Sequence, residues 1–246
     1  MGGALRKAIV VGASSGIGEA VAKQLAKEGV EVAIVARRAD ELARVVKEGA
    51  EGKLRPYTHD VRAHDDVPEL FDTIVKDLGG LDLLVYAAGT MPKVDEGEYS
   101  FEKDREMIEV NVLGAIAWMD LAAARFEAAH AGTIVGISSV AGERGRRGAP
   151  VYTTSKAALT AYLEALRNRC SRYGVNVVTI KPGFVDTAMT KGLKTFWLVT
   201  PEYVARRTLS LARRGGSPSA FVPWRWSVVM SIIRAVPSWV FRRTNV

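Results

Sequence analysis

The chain of 246 residues has one cysteine, Cys170, and three histidines. A lone thiol forms no internal disulfide, which suits a reducing compartment and a cytoplasmic location. None of these residues falls in a cluster with metal-ligand spacing, so no metal site is expected, and His59 and His64 read as loop residues. No run of about 18 uncharged apolar residues occurs, so no spanning helix is expected. Only seven residues, M-G-G-A-L-R-K, lead up to the first apolar run, and no signal peptide is expected. Internal repeats and low-complexity tracts are missing as well. Acidic residues stop at Glu202, and beyond it stand Arg206, Arg207, Arg213, Arg214, Arg225, Arg234, Arg242 and Arg243. The net charge of +7 is therefore concentrated at the C-terminal end. That asymmetry points to an anionic surface or ligand there. No nucleic-acid partner is expected.

What is present is enough for a sizeable core, with 48% apolar residues. Short β-branched runs alternate with stretches of helical period. Strands are expected at residues 7–11, 31–36, 54–58, 81–87, 133–137, 175–180 and 219–222. Helices are expected at 17–28, 39–48, 67–78, 101–129, from about Tyr152 onward, and at 201–213 with Thr200 as N-cap. Such alternation predicts an α/β fold, a doubly wound parallel sheet of about seven strands with helices on both faces. The expected order is 3-2-1-4-5-6-7, with a ligand across the carboxyl ends of the strands. Residues 1–222 make one domain, and 223–246 a Trp/Arg-rich tail.

The first strand runs into G-A-S-S-G-I-G, Gly12 to Gly18, and a helix follows. Glycines at this place permit a tight turn and let backbone N–H groups approach a pyrophosphate at the helix N-terminus. Gly12, Gly16, Ile17 and Gly18 form this loop, and the hydroxyls of Ser14 and Ser15 can add donors. The second strand ends at Arg37-Arg38, where an NAD site would hold an acid for the ribose 2′-hydroxyl. Arginine suits a 2′-phosphate, so NADP(H) is favoured, with NAD(H) as the alternative. Arg37 is the first choice and Arg38 the helper.

Tyr152 and Lys156 are spaced i, i+4 and share a helix face. A phenol has a pKa of about 10, too high for proton exchange at neutral pH, and a nearby ammonium would lower it. Ser139, at the end of the fifth strand, could donate a hydrogen bond to a substrate oxygen while Tyr152 supplies the proton. Ser138 is the rival for that role. Asn111 is a misfit within an apolar helical stripe.

Ser139 followed thirteen residues later by Tyr152-x-x-x-Lys156, with the G-x-x-x-G-x-G loop, resembles the short-chain dehydrogenase/reductase family over about residues 5 to 222. The resemblance implies a Rossmann fold and reversible hydride transfer between a nicotinamide and a carbonyl carbon. It assigns Ser139 to the carbonyl oxygen, Tyr152 to the proton, and Lys156 to the Tyr152 pKa and the nicotinamide ribose. It gives Asn111 a helix bulge and a water that passes protons to Lys156. Asp60 would accept from the adenine amino group while Val61 packs on the ring. Ala88 and Gly89 would border the cofactor, although the Asn-Asn-Ala-Gly common in relatives is Tyr86-Ala87-Ala88-Gly89 here. Pro182 and Gly183 open the segment in which the Val185 backbone and the Thr187 hydroxyl would hold the carboxamide. The 188–199 loop would be a mobile substrate lid. Dimers or tetramers are the usual assemblies.

The basic 142–147 loop and the tail further resemble decaprenylphosphoryl-2-keto-pentose reductases, which implies a keto-sugar carried on a lipid phosphate. The alternative is a soluble ketoacyl or general ketone reductase. From another class, the alternative is a non-catalytic cofactor-binding regulator or scaffold. In the tail, Trp226, Val229, Met230, Ile233 and Val236 recur at helical spacing, and Trp239, Val240 and Phe241 follow Pro237. This is the composition of an amphipathic helix lying peripherally on the inner face of a membrane, beside the substrate entrance. Packing of the stripe on the domain or on a second subunit is the other reading.

Overall fold

The computed structural model describes residues 5–50, 52–95, 97–192 and 195–244. The expected tail residues Asn245 and Val246 lie outside these. Seven strands form one parallel sheet in the order β3-β2-β1-β4-β5-β6-β7. They are β1 (Lys7–Val11), β2 (Glu31–Ala36), β3 (Leu54–Thr58), β4 (Leu83–Tyr86), β5 (Thr133–Ile137), β6 (Asn176–Pro182) and β7 (Ser219–Val222). The helices are α1 (Gly16–Lys27), α2 (Ala39–Glu48), α3 (Val67–Leu78), α4 (Phe101–Ile108), α5 (Gly114–Ala129), α6 (Pro150–Cys170), α7 (Pro201–Arg214), α8 (Trp226–Ala235) and α9 (Ser238–Phe241).

Burial on both sheet faces explains the unbroken apolar strands. Ala8 and Val10 of β1 face a core with Val21 and Leu25 of α1, Leu42 and Val45 of α2, and Val204 and Leu209 of α7. Ile9 and Val11 face the other core, with Phe71 and Ile74 of α3, Trp118 and Met119 of α5, and Leu159 and Leu163 of α6. β1 sits between β2 and β4, with Val10 opposite Ile34 and Val85. The chain reverses direction across the sheet there, leaving a crevice at the strand ends. Helix ends follow local chemistry: Gly29 has φ +85°, and the Val30 N–H returns to the Leu25 carbonyl at 3.1 Å. The Thr200 hydroxyl accepts from the Tyr203 N–H at 3.2 Å.

Three expectations change. β4 is shorter at both ends, and just before it the Asp82 carboxylate accepts from the Arg6 and Lys7 N–H groups at 2.8 and 2.9 Å. β6 runs on to Pro182, paired with Val222 of β7. Residues 101–129 are long and apolar enough to cross a membrane once a few charges are tolerated. Here half of that window is buried, with Trp118, Met119 and Phe126 packed under the sheet. A π turn at Glu109–Leu113 joins α4 to α5.

The tail also corrects the sequence reading. Trp226 and Met230 are buried against Val140, and Val229 and Ile233 pack beside them with Phe184 and Phe221. The apolar stripe therefore faces the domain, because the rim of the sheet offers it an apolar partner. The opposite face of α8 and its flanks leave Trp224 66% exposed, Val228 53%, Ile232 62% and, beyond the helix, Trp239 59%.

Candidate active site

The glycine loop is shaped by lack of room. Gly12 has φ +86°, and a Cβ there would stand 2.4 Å from the Ala88 nitrogen. A Cβ on Gly18 would stand 2.2 Å from the Gly12 carbonyl oxygen. Backbone thus packs on backbone, and α1 begins at Gly16 with its N-cap Ser15 making no side-chain cap bond. The N–H groups of that first turn have no carbonyl of their own helix to pair with, which suits a pyrophosphate. Ile17 is half-buried beside the core. One Arg38 nitrogen reaches back to Ser14 Oγ and Ser15 Oγ, 2.9 Å each, while Arg37 is exposed at the end of β2. Across the crevice, Thr187 Cγ2 lies 3.1 Å from where a Gly16 Cβ would be. The cradle, its hydroxyls and the two arginines together fit a phosphorylated dinucleotide.

The candidate catalytic residues converge at the ends of β4 and β5. Tyr152 and Lys156 stand on the first two turns of α6, which opens with Pro150 at its first position. Lys156 is buried and donates from Nζ to the Ile137 carbonyl at 3.1 Å. Burial brings its ammonium down to about 8. Ser139 lies against the Tyr152 phenol and accepts the Ala141 N–H at 3.0 Å. Ser138 is turned away, bonded to the Lys156 carbonyl at 3.0 Å and to Thr160 Oγ1 at 2.7 Å. Asn111, fully buried in the π turn, clamps the Thr90 backbone: Oδ1 accepts at 2.8 Å and Nδ2 donates at 3.0 Å. Its second amide hydrogen goes to Ser155 Oγ at 3.0 Å. A Cβ on Gly89 would lie 3.3 Å from Asn111 Oδ1 and 3.4 Å from Lys156 Nζ, so the three meet there.

Residues 6–196 match the family described as short chain dehydrogenase. The chain belongs to the short-chain dehydrogenase family. It is 32% identical over 241 residues to an uncharacterized oxidoreductase of Myxococcus xanthus (strain DK1622), covering 96% of this chain and 94% of that one. It is 32% identical over 183 residues to an uncharacterized oxidoreductase of Staphylococcus aureus (strain MRSA252), covering 74% of this chain and 79% of that one. Among solved structures, a variant of actinorhodin polyketide ketoreductase with NADPH superposes with a TM-score of 0.80 at 27% identity, covering 89% and 95% of the two chains. ElxO with NADP bound has the same fold, with a TM-score of 0.81 at 24% identity over 90% and 99%. This short-chain dehydrogenase is therefore an NAD(P)H-dependent oxidoreductase.

Several side chains sit differently from what the sequence implied for a short-chain dehydrogenase. Lys156 Nζ stands 5.9 Å from the Tyr152 ring centroid and is bonded to the Ile137 carbonyl. Burial pushes the phenol up, against the pull of the Ser139 hydroxyl and the Arg146 charge. Arg146 was unremarkable within a basic loop, and only the fold brings it to Tyr152. Asp60 holds Arg62, with Oδ2 2.6 Å from Nη2, and that guanidinium keeps its carboxyl below the usual range. Val61 is buried, close to Gly114. Tyr86 takes over at the strand end that lacks asparagines: its hydroxyl donates to the Val110 carbonyl at 2.6 Å and ties β4 to the π turn. The spacing of Tyr86 after an apolar run was the available signal, and its size decides the role. Pro182 ends β6, and the Gly183 N–H bonds the Val222 carbonyl at 3.0 Å. The Val185 carbonyl is taken by Thr190 Oγ1 at 2.6 Å and more weakly by Thr187 Oγ1 at 3.4 Å.

Proposed function

We propose that this short-chain dehydrogenase reduces a ketone with NADPH, and that the ketone belongs to an amphiphilic anionic molecule such as a keto-sugar on a lipid phosphate. The reaction reading rests on one observation: Ser139, Tyr152, Lys156 and Asn111 converge beside the glycine cradle. A nicotinamide held there supplies a hydride to the carbonyl carbon. Ser139 Oγ donates a hydrogen bond to the carbonyl oxygen, and Tyr152 Oη delivers the proton that completes the alcohol. Lys156 Nζ, an ammonium below about pH 8, returns a proton toward Tyr152. Both amide hydrogens of Asn111 are already engaged, so Asn111 acts through Oδ1 and through the π turn it fixes. The NADPH preference is supported by Arg37 and Arg38 and by the NADPH-bound ketoreductase neighbour.

The substrate reading is carried by charge and exposed apolar surface at the tail. A cleft of about 480 Å³ opens between the 144–147 loop and α9, lined by Arg144, Arg147 and Arg242 with Ser238, Phe241 and Thr244. The outward ridge of Trp224, Val228, Ile232 and Trp239 accompanies Arg225 and Arg243 with no acid beyond Glu202. That composition suits an anionic membrane surface, where each arginine contributes about 1 kcal/mol. In the test, anionic vesicles carrying a phosphate-bearing amphiphilic ketone are compared with a soluble ketoacyl thioester, following NADPH oxidation. Faster turnover of the vesicle substrate, together with loss of vesicle binding in Trp224→Ser/Ile232→Ser, supports the reading. Preference for the soluble ketone sinks it. Tyr152→Phe should lower the rate about 10²-fold or more on the true substrate while NADPH binding holds.

A further inference from the structure

Ser139 begins a turn, Val140–Glu143, whose far end is tied down by charge. Val140 packs on Trp226 and Met230 of α8. Gly142 presses on α6, where a Cβ would stand 2.7 Å from the Lys156 carbonyl carbon. Glu143 then buries its carboxylate, its side chain 4% exposed, between two cations from different elements. Oε1 is 2.7 Å from Lys181 Nζ on β6, and Oε2 is 3.1 Å from Arg234 Nη1 on α8. The next residue, Arg144, donates from Nη1 to the Ile233 and Val236 carbonyls at the end of α8, 2.5 Å each. Its guanidinium also lies 4.1 Å from the Phe241 ring centroid. These are carbonyls that a helix end leaves without partners of its own.

A buried ion pair adds little net stability over an apolar replacement, so stability alone does not account for this cluster. A carboxylate held by two cations at once has one permitted place, and that place is four residues from Ser139. We propose that Glu143 is a positioning residue: an ordered α8, gripped through Arg234 and Arg144, fixes the turn that presents Ser139 to the carbonyl. The tail is thereby part of the reducing site, not an appendage to it. This rests on the role of Ser139 proposed above.

The test is a double-mutant cycle on the full chain. Arg234→Gln removes one half-exposed cation and leaves the buried Glu143–Lys181 pair intact. It should raise KM for the ketone and lower kcat/KM about three- to tenfold, with NADPH affinity unchanged. In a Ser139→Ala background the same change should cost nothing more, and Arg234→Lys should restore most of the loss. Glu143→Gln should behave like Arg234→Gln; if it fails to fold because Lys181 is left unpaired, the Arg234 variants carry the test. An equal loss in both backgrounds, an equal loss of NADPH affinity, or no loss at all overturns the proposal. If Ser139→Ala itself leaves turnover intact, the Ser139 assignment fails instead, so the two failures are distinguishable.

Discussion

At Gly12 an added methyl would meet the Ala88 backbone, whereas at Gly183 it would meet the Trp226 indole, 1.9 Å from Nε1. These two glycines belong to two walls at the carboxyl edge of one sheet, Gly12 following β1 and Gly183 following β6. The first wall is backbone against backbone, built from Gly12, Gly16 and Gly18 at the end of β1 and from Ala88 after β4. The second is backbone against side chains, where Gly183 and Phe184 lean on Trp226 of α8, and Phe196, tilted, and Trp197, edge-on, meet the same indole with centroids 5.1 and 5.7 Å away. A backbone wall has no spare degrees of freedom and suits a ligand that does not vary. A side-chain wall can be reshaped one residue at a time, which suits a ligand that varies.

The contrast can be broken by substitution. Gly12→Ala should abolish dinucleotide binding and cost about 3 kcal/mol or more, from positive φ and collision together. No single second-site change should rescue it. Gly183→Ala should cost about 2 kcal/mol through overpacking, and Trp226→Leu in that background should recover part of the loss. Thermal unfolding of the three variants, with NADPH titration of the first, decides it. A tolerated Gly12→Ala, or a Gly183→Ala that Trp226→Leu does not relieve, removes the distinction.

Lys156 sharpens it from the catalytic side. Its folded pKa of about 8 lies below the ordinary lysine value, so the folded state binds fewer protons than the unfolded chain between the two. The buried ammonium therefore costs stability below pH 8, and the cost shrinks as pH rises above 8. Lys156→Met should stabilise the fold by roughly 1–3 kcal/mol at pH 7 while turnover collapses, and the gain should shrink by pH 10. Chemical denaturation at the two pH values reads it; destabilisation at pH 7 would count against the burial argument.

The smallest effect separates two helix starts. Thr200 caps α7 and Ser15 caps nothing in α1. Thr200→Ala should cost about 1 kcal/mol. Ser15→Ala should leave stability within about 0.5 kcal/mol and weaken NADPH binding, as calorimetry would show. Equal destabilisation by both would mean that the α1 terminus is structural after all.

The backbone wall was readable because its causes are local. Strand, glycine spacing and helix stand consecutively in Gly12 to Gly18, and the seven apolar runs set the sheet order through their alternation with helices. Tyr152 and Lys156 were readable from i, i+4 spacing. The side-chain wall was not, because its partners are far apart along the chain: Trp226 meets Gly183, Arg234 meets Glu143, and Arg146 meets Tyr152 only after folding. The tail stripe shows the reason. Trp226, Val229, Met230 and Ile233 make an amphipathic face, and period alone does not say whether that face meets lipid or protein. The substitution of Tyr86 for an asparagine likewise looked like a loss until its hydroxyl was seen on the Val110 carbonyl.

The position of α8 has a bearing on how the enzyme comes into being. All seven strands precede it in the chain, so during synthesis the sheet and glycine cradle emerge first. Until α8 follows, Gly183 and Val140 lack the indole that backs them, and Glu143 has one cation instead of two. A nascent chain halted after β7 would have its nucleotide cradle ready and its carbonyl side unfinished. Competence to hold the dinucleotide and competence to handle the ketone would then arrive in that order, separated by the translation of a single helix.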